Sequence, residues 1–253
     1  MRGAVASLYR YPLKGFSPER LRSAALKAGR GLAFDRFYAV EDGPSGFDPA
    51  EPKFISKQRF TVLAKIPEVA AIRTRFEDAS GQMRAEALEA PPFDGSLDDA
   101  ASRARFAAWL TGVLGEKANG PLKVLEAPGA HRFYDDEEGF LSLINLASVA
   151  DLEQRLGARI DPLRFRANLY VSGWPAWAEL EGAGKAFQIG DVKMRGHKPI
   201  RRCTATHVNP DTAERDVEIV PALMREYGHA FCGLYLHVEQ DGLVHEGDEA
   251  VSA

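Results

Sequence analysis

The chain has 253 residues, 45% hydrophobic and 27% charged, with a formal net charge of −4; this suits a globular protein with a sizeable core, built as one large domain or two small ones. The acidic balance argues against a broad basic nucleic-acid surface. No run reaches the roughly 18 apolar residues of a membrane helix, and the opening "MRGAVASLYRYPLKG" has no apolar signal-peptide core. Two cysteines, Cys203 and Cys232, argue against a disulfide scaffold, although they allow one bridge, and a cytoplasmic location is expected.

In chain order, "AVASLYRYPLKG" has strand chemistry and ends in a turn at Gly15. "RLRSAALKAGRGLAFDRFYAVED" reads as two strands joined at Gly29 and Gly31, and "PKFISKQRFTVLAKIPEVAAIRTRFE" as a strand, an apolar segment and a further strand. "LDDAASRARFAAWLTGVLG" predicts a helix with Ser96 or Asp98 as cap, Phe106, Leu110 and Leu114 on one face, and Gly115 as its stop. "PLKVLEAP" resumes strand character, and "FLSLINLASVADLEQRLGARIDPLRFRANLYVSG" reads as strand, helix, turn, strand, with Ser148 as N-cap and Gly157 as stop. "AFQIGDVKMRGHKPI" carries a Gly-Asp turn between strands, "EIVPALMREYG" a short helix, and the remainder strands punctuated by turns. Short strands and frequent turns suggest a β-rich α+β chain built on barrels, with a division near residue 120: residues 1–120 and 121–253.

The stretch "GHKPIRRCTATHVNPDTAERD" places Cys203 directly after Arg201 and Arg202. A lone cysteine is most often an inert buried hydrophobe. Neighbouring cations, however, lower the cost of a thiolate, the form that binds metals and attacks electrophiles. On a strand, Arg201 would share the face of Cys203 and Arg202 would not. His197, Cys203, His207, His229 and Cys232 also offer zinc-like spacings, but not the common C-x2-C form, and the two arginines would repel a dication. Further cations interrupt apolar stretches: Lys14, Arg36, Lys57, Arg59 and Arg166, the last followed by Asn168. Each alone fits a salt-bridged or snorkelling side chain. Together, on an acidic protein, they point to a pocket for an anionic ligand. No Walker A or GxGxxG sequence marks a nucleotide site.

"YPLKG", "FDRFYAV", "FRANLYVSG", "RRC" and "VNPDT" occur in the order seen in MOSC-domain proteins. The chain resembles that family over almost its whole length, in its amidoxime-reducing and YcbX-like branch, with the family's N-terminal β-barrel domain in front. The resemblance implies a β-barrel-like MOSC domain packed with a smaller N-terminal β-barrel domain. It also implies a molybdenum cofactor (Mo-molybdopterin), with Cys203 as metal ligand and catalytic residue. Lys14, Arg36, Arg166, Arg201 and Arg202 would line the cofactor, Tyr235 would lie near it, and Asn168 would orient the site. The chain departs from the family pattern at Gly15, where serine is frequent, at Ala167 in "FRAN", and at Glu138 and Gly139, where a hydroxyl pair is expected.

The resemblance implies an oxidoreductase that reduces N-hydroxylated small molecules with electrons from a separate protein. No nucleic-acid or membrane partner is expected. With two cysteines the sequence cannot hold an iron–sulfur cluster of its own. The alternative is a non-catalytic carrier of sulfur or cofactor that uses the Cys203 thiol as a persulfide. Pyridoxal phosphate belongs to the aminotransferase-like domain of some relatives, for which this sequence has no room.

Overall fold

A computed structural model describes residues 1–138 and 141–252. Its centre is a closed seven-stranded barrel. The first strand, β1 (Arg2–Arg10), leads to the short β2 (Glu19–Leu21), β3 (Ser23–Leu26) and β4 (Tyr38–Asp42). After two 3₁₀ turns come β5 (Arg73–Glu77), β6 (Gln82–Glu86) and β7 (Phe93–Ser96), then helix α1 (Ala100–Leu114) and β8 (Leu122–Glu126). The second half runs β9 (Leu141–Asn145), α2 (Leu146–Leu156), β10 (Leu169–Ser172), β11 (Ala186–Ile189) and β12 (Val192–Arg201). It ends with α3 (Ile219–Tyr227), β13 (Phe231–Val238), β14 (Gly242–His245) and β15 (Glu249–Ser252).

The barrel order is β10-β9-β13-β12-β11-β15-β1, and a β1–β10 pairing closes the ring. Only β9 and β10 pair in parallel within it, joined by the α2 crossover. Alternate residues point inward, so Val5, Leu8, Leu141, Leu143, Leu234 and Leu236 fill the interior. All five residues of β9 are buried. One face lines the barrel, and Ile144 on the other packs with Val149 and Leu152 of α2 and Leu223 of α3.

The N-terminal part adds the β4–β8 pair and the β5-β6-β7 sheet. Helix α1 covers them with Phe106, Leu110 and Leu114, all buried, as its periodicity predicts. As a proposed division of sequence modules, residue 120 leaves β1 on one side and the barrel it closes on the other. It therefore divides the chain and not the sheets.

Several local expectations change. The cap of α1 is Asp99, which accepts from the Ser102 amide at 2.7 Å, and not Ser96 or Asp98. The cap of α2 is Asn145, three residues before Ser148; the Ser148 hydroxyl instead donates to buried Glu179 at 2.8 Å. Gly157 ends α2 in the left-handed region, as expected. "FISKQRF" forms no strand: the Ser56 hydroxyl accepts from the Gln58 amide and starts a 3₁₀ turn at Lys57–Arg59. The "RLRSAALKAGRGLAFDRFYAVED" segment gives three strands, and residues 33–36 form a turn in which Phe34 and Arg36 adopt positive φ. No helix among the described residues is long and apolar enough to cross a membrane.

Candidate functional site

A cavity of about 510 Å³ opens where the barrel meets the N-terminal part. The eight residues singled out from the sequence, namely Lys14, Arg36, Arg166, Asn168, Arg201, Arg202, Cys203 and Tyr235, all line it. They come from loops and strand ends that are far apart in sequence. Strand β12 ends at Arg201, so the alternation expected through Cys203 stops there. Cys203 instead starts the 3₁₀ turn Thr204–His207, and Arg201, Arg202 and Cys203 all face the cavity.

The cations differ in how far the protein itself neutralises them. Lys14 is buried; its Nζ donates to the Phe133 carbonyl at 2.8 Å and to Asp135. Burial depresses the Lys14 ammonium although Asp135 opposes this. Burial also disfavours charge on Asp135, but Lys14, Lys57 and Arg36 outweigh it and hold the carboxyl well below the usual range. Arg36 is held by Asp35, to which its Nη1 donates at 2.6 Å to each oxygen. Arg36 Nη2 donates to the Arg166 carbonyl at 2.8 Å.

Arg166 has no carboxylate within salt-bridge distance among the described residues; its Nη2 donates to the Phe16 carbonyl at 2.8 Å. Burial lowers its guanidinium, and the nearby Arg36 adds to the effect. Both arginines adopt positive φ, +50° and +52°, and both lie over the Tyr11 ring, at 4.3 and 4.4 Å. Non-glycine residues held in this region store strain, and such strain clusters at ligand sites. The side chain of Arg201 makes no hydrogen bond or ion pair among the described residues. Arg202 donates through Nε to the Cys232 carbonyl at 2.7 Å and through Nη1 to the Phe165 carbonyl at 2.9 Å. Its buried Nη2 has no partner. Gly233, at φ +86°, permits this approach: a β-carbon there would lie 2.4 Å from the Leu143 carbonyl and 2.9 Å from Arg202 Nη2.

Asn168 is fully engaged by the protein. Its Oδ1 accepts from the Ser142 amide and hydroxyl at 3.1 and 2.9 Å, and its Nδ2 donates to the Tyr9 carbonyl and to Asp35 at 3.1 and 3.0 Å. It therefore orients the Asp35–Arg36 pair. Burial, with Asp135 adding to it, pushes the Tyr235 hydroxyl up to about 12.

Lys57, one of the cations that point to an anion pocket, also lines the cavity, whereas Arg59 does not; Asp135, Asp136, Ser142, Arg164 and Lys198 line it without having been singled out. The cation inside "FISKQRF" was the signal for Lys57. Asp135 and Asp136 sit in an acidic loop that reads as solvated. Arg164 is spent on structure, donating to the His207 carbonyl at 2.9 Å and pairing with Asp216 at 2.6 Å. Glu138 pairs with His197 at 3.2 Å; Gly139 lies outside the described residues. The zinc-like spacings are not brought together: Cys232 is fully buried in the core under α2 and α3, where burial pushes its thiol up to about 12. His207 Nε2 accepts from the Val220 amide at 3.2 Å. Both cysteines are free. Among the described residues no three His, Cys, Asp or Glu side chains gather as a metal site.

Residues 2–119 match the MOSC N-terminal beta barrel domain and residues 129–251 the MOSC domain. The chain is 25% identical to human mitochondrial amidoxime-reducing component 1, over 97% of this chain and 82% of that protein. It is 32% identical to the mouse protein of the same name, over 46% of this chain and 36% of that one. Among solved structures it is similar to the YuaD protein of Bacillus subtilis, with a TM-score of 0.47 and 14% identity over 99% of this chain and 94% of that one. None of these matches supports pyridoxal phosphate as a cofactor of this chain. With the two domain matches in tandem covering nearly all of its length, the chain belongs to the MOSC-domain proteins that carry the family's N-terminal β-barrel domain.

Proposed function

We propose that the chain is an oxidoreductase that holds a molybdenum cofactor at Cys203 and reduces N-hydroxylated small molecules. The observation that carries this reading is one accessible thiol in a cavity where three guanidinium groups, those of Arg166, Arg201 and Arg202, have no carboxylate partner among the described residues. Arg201 is unpartnered among the described residues, Arg166 has no carboxylate, and Arg202 keeps one buried N–H unsatisfied. A buried donor without an acceptor costs about 1–3 kcal/mol, and a phosphate-bearing, oxo-bearing ligand would supply acceptors to all three. A soft thiolate suits molybdenum. These residues therefore fit the cofactor.

Cys203 would ligate the metal and is the residue we assign to catalysis. Arg166, Arg201 and Arg202 would hold the anionic groups, with Lys14 and Arg36 behind them. Asn168 would fix Arg36 through Asp35. Tyr235 stays protonated at neutral pH and offers a hydroxyl donor. When bound, the cofactor supplies the two-electron chemistry. The names of the matched relatives support the substrate class, since amidoximes are N-hydroxylated compounds. The sequence carries no dinucleotide fingerprint, so the electrons are assigned to a separate donor protein. Two free cysteines suit the reducing cytoplasm.

The test is elemental analysis of protein made in a host that synthesises the cofactor, followed by amidoxime turnover with reduced viologen. Stoichiometric molybdenum and turnover are expected. Labile sulfur on Cys203 without metal would favour the persulfide carrier, and molybdenum without turnover under any reductant would overturn the enzymatic reading.

A further inference from the structure

The cavity contains one contact to the thiol that the cofactor reading does not use. Lys57 Nζ lies 3.4 Å from Cys203 Sγ, within hydrogen-bond reach of sulfur. The same nitrogen lies 3.7 Å from Asp135 Oδ2, and Asp135 Oδ1 is bound by the buried Lys14. Lys57 sits on a 3₁₀ turn started by the Ser56 hydroxyl, which fixes where its backbone leaves the N-terminal part. The sulfur is thus met by a cation from one module while its own backbone belongs to the other. The side chain of Lys57 is 27% exposed, so the contact is screened on one side by the cavity and not by bulk solvent alone.

A sulfur with free rotation about its Cα–Cβ bond has no fixed direction. A donor held by a carboxylate, itself held by a buried lysine, gives it one. Outer-shell donors of this kind orient metal ligands and tune their electron density. We propose that Lys57 is a positioning residue that aims the Cys203 sulfur and imposes a positive field on it, with Asp135 and Lys14 as its support. This deepens the function proposed above and rests on it for the role of the sulfur, but the contact itself can be tested without any cofactor.

The experiment compares alkylation of Cys203 by iodoacetate and by iodoacetamide in cofactor-free protein at pH 7.5, with modified peptides assigned by mass spectrometry. The two reagents differ in charge, and the ratio of their rates cancels the ionised fraction of the sulfur. It therefore reads the field at the sulfur. Lys57→Met should lower the iodoacetate preference about fivefold or more, the scale one unit charge exerts on a charged reagent a few ångströms away in a partly solvated cleft. Lys57→Gln should lower it as much, and Lys57→Arg should restore it. An unchanged ratio in folded Lys57→Met or Lys57→Gln protein would overturn the proposal.

A second measurement uses the metal-loaded enzyme. Lys57→Met should retain molybdenum while the sulfur-to-metal absorption band shifts, and an unshifted band would also count against the proposal. Wild-type protein without molybdenum would defeat the functional reading and leave the alkylation result standing.

Discussion

Arg166 and Asp35 sit within one network and should respond to mutation in opposite ways. Asp35 is fully buried and accepts from the Tyr11 amide at 2.8 Å, from Asn168 Nδ2 at 3.0 Å and from Arg36 at 2.6 Å. Asp35→Ala leaves a buried guanidinium and two further donors without an acceptor. Breaking one side of such a pair costs about 3–5 kcal/mol. Arg166 is different. Met in its place loses one hydrogen bond to the Phe16 carbonyl, about 1 kcal/mol, and a contact over Tyr11 of about 0.5–1 kcal/mol. Against this, removing the charge relieves repulsion from Arg36 and the burial that lowers the Arg166 guanidinium. The sum should fall within about 1 kcal/mol of zero. For a chain of this size Tm should move by no more than about 4 °C for Arg166→Met and should fall by roughly 6–20 °C for Asp35→Ala. Differential scanning calorimetry of both variants decides the matter, with molybdenum content measured on the same samples. Arg166→Met should lose molybdenum while keeping its fold. A loss of 3 kcal/mol or more in Arg166→Met would show that Arg166 is a structural residue and that the cavity was not built around an external anion.

Cys203→Ala should abolish molybdenum retention and leave the unfolding midpoint within about 0.5 kcal/mol of wild type, whereas Cys232→Ala should retain the metal and cost about 1 kcal/mol or more, because that thiol is packed in the core; equal molybdenum in Cys203→Ala would remove the ligand assignment. Gly15→Ser should destabilise by about 2 kcal/mol or more in urea unfolding, since Gly15 has φ +90° and a β-carbon would meet the Thr61 carbonyl at 2.5 Å; an unchanged midpoint would contradict that backbone reading. Asp42 is buried, which disfavours its charge, yet Lys65 at 2.7 Å and the Asn119 side chain and amide hold its carboxyl below the usual range. Its contribution is full above about pH 4, the unfolded value, and is lost as pH falls through the lower folded value. The stability gap between wild type and Asp42→Asn should therefore be largest at pH 6 and narrow progressively as pH falls below about 4, and a gap independent of pH would refute it.

What the sequence by itself determined was local. A helical period put Phe106, Leu110 and Leu114 on one face of α1 whatever the surroundings, and glycine at 157 stops α2 because it enters the left-handed region without a β-carbon clash. Cations interrupting apolar runs marked Lys14, Arg36 and Arg166 because a charge in such a run needs a reason to be there. The fold class was legible for the same kind of cause, since short strands with turns between them leave few layer arrangements.

Tertiary structure decided the rest. Ser148 has the chemistry of a cap, but Glu179, buried 31 residues away, claims its hydroxyl. Lys57 sits in what reads as a strand, and its link to Cys203, 146 residues on, follows no local period. Arg36 and Arg166 keep their positive φ while their amides donate hydrogen bonds to the Tyr11 carbonyl at 2.7 Å and the Leu163 carbonyl at 3.0 Å. β1 closes a barrel otherwise made entirely of the second half: one edge pairs with β10, and the other pairs with β15 at Arg2–Ala4 and with β2 at Leu8–Arg10. Strand pairing and charge convergence depend on which distant segments meet, and the sequence records the groups while only the closed barrel sets their distances.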